Sequence, residues 1–368
     1  MSIHKDKKRG TYYFVISNPE GYPKQIKRRG FKTKKEAMQQ QTLILHELNQ
    51  GTYVATSKMK LDELTQKWLR KKKHEVQDVT YKAYVHLIKT HILPFFGQMQ
   101  IDRIKPLDVE DFYFHLYDEK NLSKRSVQKI HTIIKSVFSY ARNMDLISRN
   151  PLDRISRPKS DSQEVSVWDK HELQYFLENT KRDPFFIAYQ LASVEGMRQG
   201  EILGLRWQDI DFEGQRLTIQ QTLSNDGKTI KPGAKNKTSK RQVAFTKETL
   251  IALKSHKEKQ EQIKVKTGDV YNDKLDLVVC TSLGSPINPS NLRRSFNRNI
   301  KRLHVKKIRF HDLRHTHATL CLELNIHPKI VASRLGHANT RMTLDTYSHL
   351  LPSFQNGAVE KISQGFFD

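Results

Sequence analysis

Residues 310–350 read FHDLRHTHATLCLELNIHPKIVASRLGHANTRMTLDTYSHL, and this stretch decides how the rest of the chain is understood. His311 and Arg314 are three apart, so on a helix they project from one face. Leu335-Gly336 has the form of a helix terminator, which leaves His337 just beyond a helix end. Tyr347 falls within the next periodic segment, with Asn339 or Thr340 as its cap. A further arginine lies far upstream in Glu195-Gly196-Met197-Arg198-Gln199-Gly200-Glu201. The apolar helix through Phe186, Ala188, Leu191 and Val194 is expected to end at Gly196, so Arg198 sits just past it.

These residue types suit one chemistry. A Tyr hydroxyl, with an ordinary pKa near ~10, is a poor nucleophile at neutral pH and needs help. Two guanidiniums can each offer a planar fork to phosphate oxygens and stabilise a pentacoordinate phosphorus without a metal. Arg198 and Arg314 are the candidates for that clamp. His311 is placed to accept the tyrosine proton, and His337 to donate a hydrogen bond to the scissile phosphate. Attack by Tyr347 would leave a 3′-phosphotyrosine and a free 5′-hydroxyl, so religation needs no ATP. Taken singly, each residue has a plain structural explanation: a surface Arg at a helix end, a chance His-x-x-Arg pair, a half-buried Tyr. Their order in one basic chain is what carries the signal.

Set together, Arg198, His311-x-x-Arg314, His337 and Tyr347, with Thr-Leu-Asp-Thr-Tyr-Ser-His around the last, resemble the tyrosine recombinase (phage integrase) family. The resemblance implies a DNA strand-exchange enzyme of the integrase type, with a Lys on a β-hairpin as general acid for the leaving 5′-oxygen. Ala234-Lys235-Asn236-Lys237-Thr238-Ser239-Lys240-Arg241-Gln242-Val243 offers two candidates. The spacing Lys-x-x-x-Ser-x-Arg-x-hydrophobic favours Lys235, whereas a Lys directly before Thr favours Lys237. Glu201 is expected to orient an Arg or His rather than to touch DNA. The resemblance further implies a homotetramer on double-stranded DNA attachment sites, with a host DNA-bending protein and an excisionase as candidate accessory partners. It implies no metal and no other cofactor.

Charge agrees with a nucleic-acid partner. Lys and Arg number 64 against 39 acids, a formal net charge of +25 over 368 residues. Such an excess points to a polyanion. An anionic membrane is the weaker choice, because no apolar run approaches ~18 residues and no signal peptide opens the chain. Two cysteines, Cys280 and Cys321, suit a reducing cytoplasm and are too few for a disulfide framework.

Three segments are expected: an arm-type DNA-binding domain over 1–55, a helical core-binding domain over 58–157, and a catalytic domain over 165–368. The fold class is therefore multidomain, mainly α with small β-sheets, the last domain being α+β. In the first segment the opening residues are polar, and Gly10–Ser17 has strand composition. Residues 18–21 supply a turn, Pro23–Phe31 returns, and Thr33-Lys-Lys-Glu36 starts a helix ending near Gly51. Lys24, Lys27, Arg28, Arg29 and Lys32 cluster on that sheet and are candidates for a DNA groove. In the second segment, Leu61, Leu64, Trp68 and Leu69 make one helix face, and Tyr81 to Ile92 makes another, stopped by Pro94. Val127, Ile130, Ile134, Val137, Phe138 and Ala141 make a third. Lys71, Lys72, Lys124 and Arg125 lie off these stripes and are candidates for phosphate contact.

Asn150-Pro151 closes the bundle, and residues 157–163 have linker composition. Asp183-Pro184 reads as a cap followed by a first-turn Pro. Gln215–Leu223 and Arg241–Thr246 alternate like strands. The apolar tail 351–368 reads as a docking segment for this or a neighbouring protomer. The sequence admits two other readings. A catalytically silent DNA-binding regulator would not need the full residue set. A zinc-dependent hydrolase would use His311-x-x-x-His315 with His317 or His337, but Asp312 is shorter than the usual Glu base and Arg314 opposes a dication.

Overall fold

The computed structural model describes residues 2–18, 24–51, 53–55, 57–159, 166–232, 241–337 and 339–347, with the backbone alone at 342 and 345–347. The chain falls into two compact units, Met1–Gln163 and Glu164–Asp368, each taken by itself.

The first unit holds two separate apolar cores. Strands β1 (Ile3–Asp6), β2 (Thr11–Ser17) and β3 (Gln25–Phe31) form an antiparallel sheet in that order. The β1 strand was not expected from its polar composition; pairing puts Ile3 opposite Phe14 and commits its backbone to β2. Alternation along β2 buries Phe14 and Ile16, which meet Ile26 of β3 and Ala37 and Ile44 of helix α1 (Lys34–Asn49). Thr33 caps α1 by accepting from the Glu36 N–H, while Glu36 reaches back to the Lys32 N–H rather than to Thr33.

Five helices and two π-turns make the second core. They are α2 (Leu61–Glu75), α3 (Asp78–Leu87), α4 (Leu93–Phe96), α5 (Pro106–Phe114) and the long α6 (Lys124–Asn143), with π-turns at Ile88–Ile92 and His115–Glu119. The predicted stripe of α6 is fully buried from Val127 to Ala141. Pro94 does not stop the helix as expected. The Leu93 N–H bonds Ile88 O, and Pro94 falls in the first turn of α4, where an amide proton has no intrahelical use. The chain turns only at Gly97.

In the second unit the buried helix α8 (Phe186–Ser193) packs against α7 (Lys170–Thr180), α9 (Gln199–Leu203), α10 (Lys247–Thr267) and α12 (Asp312–Glu323). Strands β4 (Ile210–Asp211), β5 (Arg216–Ile219) and β8 (Arg241–Ala244) form one sheet, and β6 (Gln221–Leu223) with β7 (Ile230–Pro232) forms a hairpin. Helices α11 (Pro289–Leu303), α13 (Pro328–Leu335) and α14 (Thr340–Tyr347) complete it. The start of α8 departs from expectation: it begins at Phe186, not at Pro184. Asp183 accepts from Phe185 N–H, and its other oxygen holds Ser295 and Asn299 of α11.

Trp168 anchors the entry to this unit. It is fully buried against Phe176 and Phe296, its indole N–H donates to Lys306 O (2.7 Å), and its backbone N–H donates to Thr316 Oγ1 of α12. Trp168→Ala is expected to destabilise this unit by about 3–5 kcal/mol through the cavity and an orphaned carbonyl. Urea unfolding followed by near-ultraviolet circular dichroism measures it; an unchanged midpoint would refute the anchoring role.

Candidate active site

Two glycines end helices so that the chemistry-bearing residues follow them. Gly196 adopts φ +69°, and the Met197 N–H reaches back across it to Leu191 O (3.1 Å), closing α8. Arg198 is then the N-cap residue of α9. Gly336 adopts φ +63° at the end of α13, and the His337 N–H bonds Ala332 O (3.0 Å). A Cβ at Gly336 would stand 2.7 Å from Arg241 Nη1, so that glycine also makes room for an arginine.

The end of α13 gathers the site. Its last carbonyls have no intrahelical partner and carry the negative end of the helix dipole. Arg241 Nε donates to Arg334 O (3.0 Å), Arg314 Nη2 donates to Leu335 O, and Arg198 Nη2 donates to Gly336 O (3.0 Å). Three guanidiniums from three elements thus take three consecutive carbonyls. Arg314 also donates from Nη1 to Gly196 O (2.7 Å), which joins the two helix ends. Arg314 is 3% exposed, whereas the Arg198 side chain is 40% exposed, so Arg198 is the cation presented to solvent.

Two buried carboxylates from the Glu195–Glu201 segment hold the arginines. Glu201 accepts from Arg198 N–H (2.9 Å), Arg198 Nη1 (2.8 Å), and Arg241 Nη1 and Nη2 (2.9 and 2.8 Å). Burial alone would raise its pKa; the hydrogen bonds and charge of Arg241, then Arg198, hold it at about 2. Glu201, expected from sequence to orient an Arg or His, is bonded here to the Arg198 and Arg241 guanidiniums. Glu195, with no exposure, accepts from Arg334 Nη2 (2.7 Å) and from Thr246 N–H.

His337 follows the α13 end directly. Its Nδ1 lies 2.8 Å from Thr343 Oγ1, a buried hydroxyl of α14, which sets the ring with Nε2 pointing away from Thr343. His311 flanks the start of α12, its ring edge-to-face with His315 at 5.2 Å. Asp312 is bound to the Arg309 backbone N–H and guanidinium. The carboxylate that a hydrolase reading needs as a base is therefore already committed. Among the described residues no group of three or more His, Cys, Asp or Glu side chains is disposed to hold a metal ion.

Tyr347 is the final residue of α14, the helix that starts three residues after His337. Lys235 and Lys237 lie outside the described residues, as does the tail 351–368. Sequence reasoning missed Arg241, Glu195, Arg334 and Thr343. Arg241 was visible as the Arg of the Ser-x-Arg-x-hydrophobic spacing, but only as a marker of register.

In the first unit, pairing places His4, Tyr13, Val15, Lys27 and Arg29 on the sheet face opposite α1. Lys27 lies over the Tyr13 ring, 5.2 Å from its centroid. Arg28 faces the other way, donating to Tyr53 Oη (3.3 Å), so it does not share that face with Lys27 and Arg29. Lys24 and Lys32 are exposed at the ends of β3. Lys72 pairs with Glu75 at 2.6 Å and lies over Trp68; Lys71 lies over Tyr140. Lys124 and Arg125 are exposed at the start of α6.

Cations and burial together keep the site histidines neutral. His337 is held down at about 4 by burial, then by Arg314 and Arg198; His315 at about 4 by burial, then His311; His317 at about 3 by burial, then Arg334 and Arg314. His311 is lowered in the same sense by burial, then Arg314. In the unfolded chain these rings titrate near ~6.5, so between that pH and about 4 the unfolded state binds more protons. Stability should be full above about pH 6.5 and fall as pH drops toward about 4, read as a falling Tm of the DNA-free chain. A Tm that stays flat over that range contradicts the neutral assignment.

The phage integrase family matches residues 167–353, a phage integrase N-terminal SAM-like domain matches 60–117, and an arm DNA-binding domain matches 2–48. A tyrosine recombinase XerC-like protein of Caldanaerobacter subterraneus subsp. tengcongensis is 30% identical over 358 residues, covering 91% of this chain and 90% of its own. The ICEBs1 integrase of Bacillus subtilis is 26% identical over 333 residues, covering 90% of each. Among solved structures, the Tn1549 transposon integrase in complex with a circular intermediate DNA is similar at a TM-score of 0.70 and 20% identity, covering 83% of this chain and 99% of that one. A lambda integrase dimer bound to a COC′ core site is similar at 0.59 and 18%, covering 94% of each. The chain belongs to the phage integrase family, the tyrosine recombinases.

Proposed function

We propose that the chain is a site-specific integrase that cuts and rejoins DNA through a 3′-phosphotyrosine on Tyr347, integrating and excising a mobile element. The observation that carries this reading is the convergence of Arg198 and Arg314 on adjacent carbonyls beside His337. That arrangement concentrates positive charge, fixed in advance, where a phosphodiester gains negative charge on attack. Arg198 is exposed enough to fork onto the phosphate, while Arg314 supplies a rigid charge beneath it. We assign the Thr343 hydroxyl as the donor to Nδ1, so that His337 carries its proton on Nε2 and donates a hydrogen bond from there to a phosphoryl oxygen. His311, neutral at pH 7, takes the tyrosine proton. Lys235 is the first choice as acid for the 5′-oxygen, with Lys237 as the alternative.

Three functional segments follow: an arm-type domain over 1–55, a core-binding domain over 58–157 and a catalytic domain over 165–368. The exposed sheet face with Lys27 and Arg29, the flanking Lys24 and Lys32, and the cations Lys71, Lys72, Lys124 and Arg125 meet phosphates. Arg28 acts from the opposite side, beside Tyr53. The partners are double-stranded attachment sites, a homotetramer assembled on them, and accessory proteins that bend DNA or favour excision. Support comes from relatives whose structures contain DNA. Among the described residues no helix is long and apolar enough to cross a membrane. The setting proposed is cytoplasmic, on the nucleoid.

Tyr347→Phe keeps the ring and removes the nucleophilic oxygen. On a nicked suicide substrate the unmodified chain should form a covalent protein–DNA band and Tyr347→Phe none, with site binding retained. A band with Tyr347→Phe would move the nucleophile elsewhere.

The general acid is separable by leaving-group chemistry. An acid contributes about 10²–10⁴-fold to expulsion of an alkoxide, whereas a 5′-thiolate leaves without protonation. Lys235→Ala should be slow on ordinary DNA and rescued by a 5′-phosphorothiolate substrate, while Lys237→Ala loses mainly salt-sensitive binding. Rescue of Lys237→Ala instead would reverse the assignment.

A further inference from the structure

Arg241 opens β8 with its side chain 11% exposed, and the roles above leave it unexplained. All three of its guanidinium nitrogens face inward, Nε to Arg334 O and the two Nη to the oxygens of Glu201. Glu201 Oε1 also accepts from Arg198 Nη1 at 2.8 Å. One buried carboxylate therefore serves two arginines, one committed to the interior and one facing solvent. A carboxylate with a single partner would place its full charge on that partner, and a second anion nearby would be repelled. The Arg241 guanidinium packs against the Gly336 backbone, where a Cβ would stand 2.7 Å from its Nη1.

We propose that Arg241 is a positioning residue that balances the charge of Glu201, so that Arg198 is oriented by that carboxylate yet remains available to the scissile phosphate. This rests on Arg198 being a phosphate ligand, as set out above. Without Arg241, Glu201 holds Arg198 in an exclusive ion pair and presents an uncompensated negative charge to the DNA. The loss should then be relieved by neutralising Glu201, an outcome that two ordinary packing defects would not give.

The test is single-turnover formation of the covalent band on a nicked suicide substrate at saturating protein, with site affinity measured in parallel by gel shift. Arg241→Ala should slow cleavage by about 10–100-fold, the range for groups that act by orienting a working neighbour, with affinity little changed. Glu201→Gln alone should cost less. The double variant Arg241→Ala/Glu201→Gln should be faster than Arg241→Ala. Arg241→Lys keeps the charge without the fork and should fall between the unmodified chain and Arg241→Ala. If Arg241→Ala does not fold, as judged by circular dichroism, the same comparison is made between Arg241→Lys and Arg241→Lys/Glu201→Gln, the latter again expected to be faster. A double variant as slow as its Arg241 parent, or slower, overturns the proposal while leaving the active-site reading intact. An unmodified chain that forms no band overturns that reading and this inference with it.

Discussion

Three consecutive carbonyls at the end of α13 accept hydrogen bonds from three arginines, and the rest of the site depends on that arrangement. A helix C-terminus leaves carbonyls unsatisfied and negative, which would be costly here without donors. The donors come from the loop after α8, from the strand after residues 233–240 and from the first turn of α12. Segments distant in sequence are thereby brought to one point. Each arginine satisfies a structural need and stands close to its neighbours, which is how cations that repel one another can be concentrated.

Carboxylates make the concentration tolerable. Glu195 and Glu201 flank Arg198 in sequence and are both buried, each paired with an arginine from another element. Arg334 and Arg241 cross: Arg334 donates to Ala244 O of β8 and Arg241 to Arg334 O of α13. Breaking one partner of such a pair costs about 3–5 kcal/mol, because the other charge is left buried alone. Burial first, and then the same cations, keep the neighbouring histidines neutral, and a neutral imidazole is the form able to accept a proton.

Much of this was legible in sequence. Gly196 and Gly336 announced helix ends: Gly336 is the left-handed cap of α13 that delivers His337, whereas α8 already ends at Ser193 and Gly196, at positive φ, makes the turn two residues past its cap that delivers Arg198. The α6 stripe and the β2 alternation were readable because burial follows their periods. What failed was local punctuation overridden by tertiary context. Pro94 reads as a stop, yet a π-turn upstream carries the chain through it. Asp183 reads as a cap for Pro184, yet α11 takes its carboxylate. Strand β1 has no apolar alternation to announce it, and the local spacing around Arg241 marks register but not its role, because its partners are 40 and 93 residues away.

The central claim is that these arginines, His337 and Tyr347 form one phosphodiester-cleaving site. Peptide mapping of the covalent adduct by mass spectrometry tests it most directly. After trapping on a suicide substrate and proteolysis, the account predicts a nucleotide attached through a 3′-phosphate to the peptide containing Tyr347 and to no other. A nucleotide on a different residue would contradict it, as would strand cleavage with no covalent adduct at all.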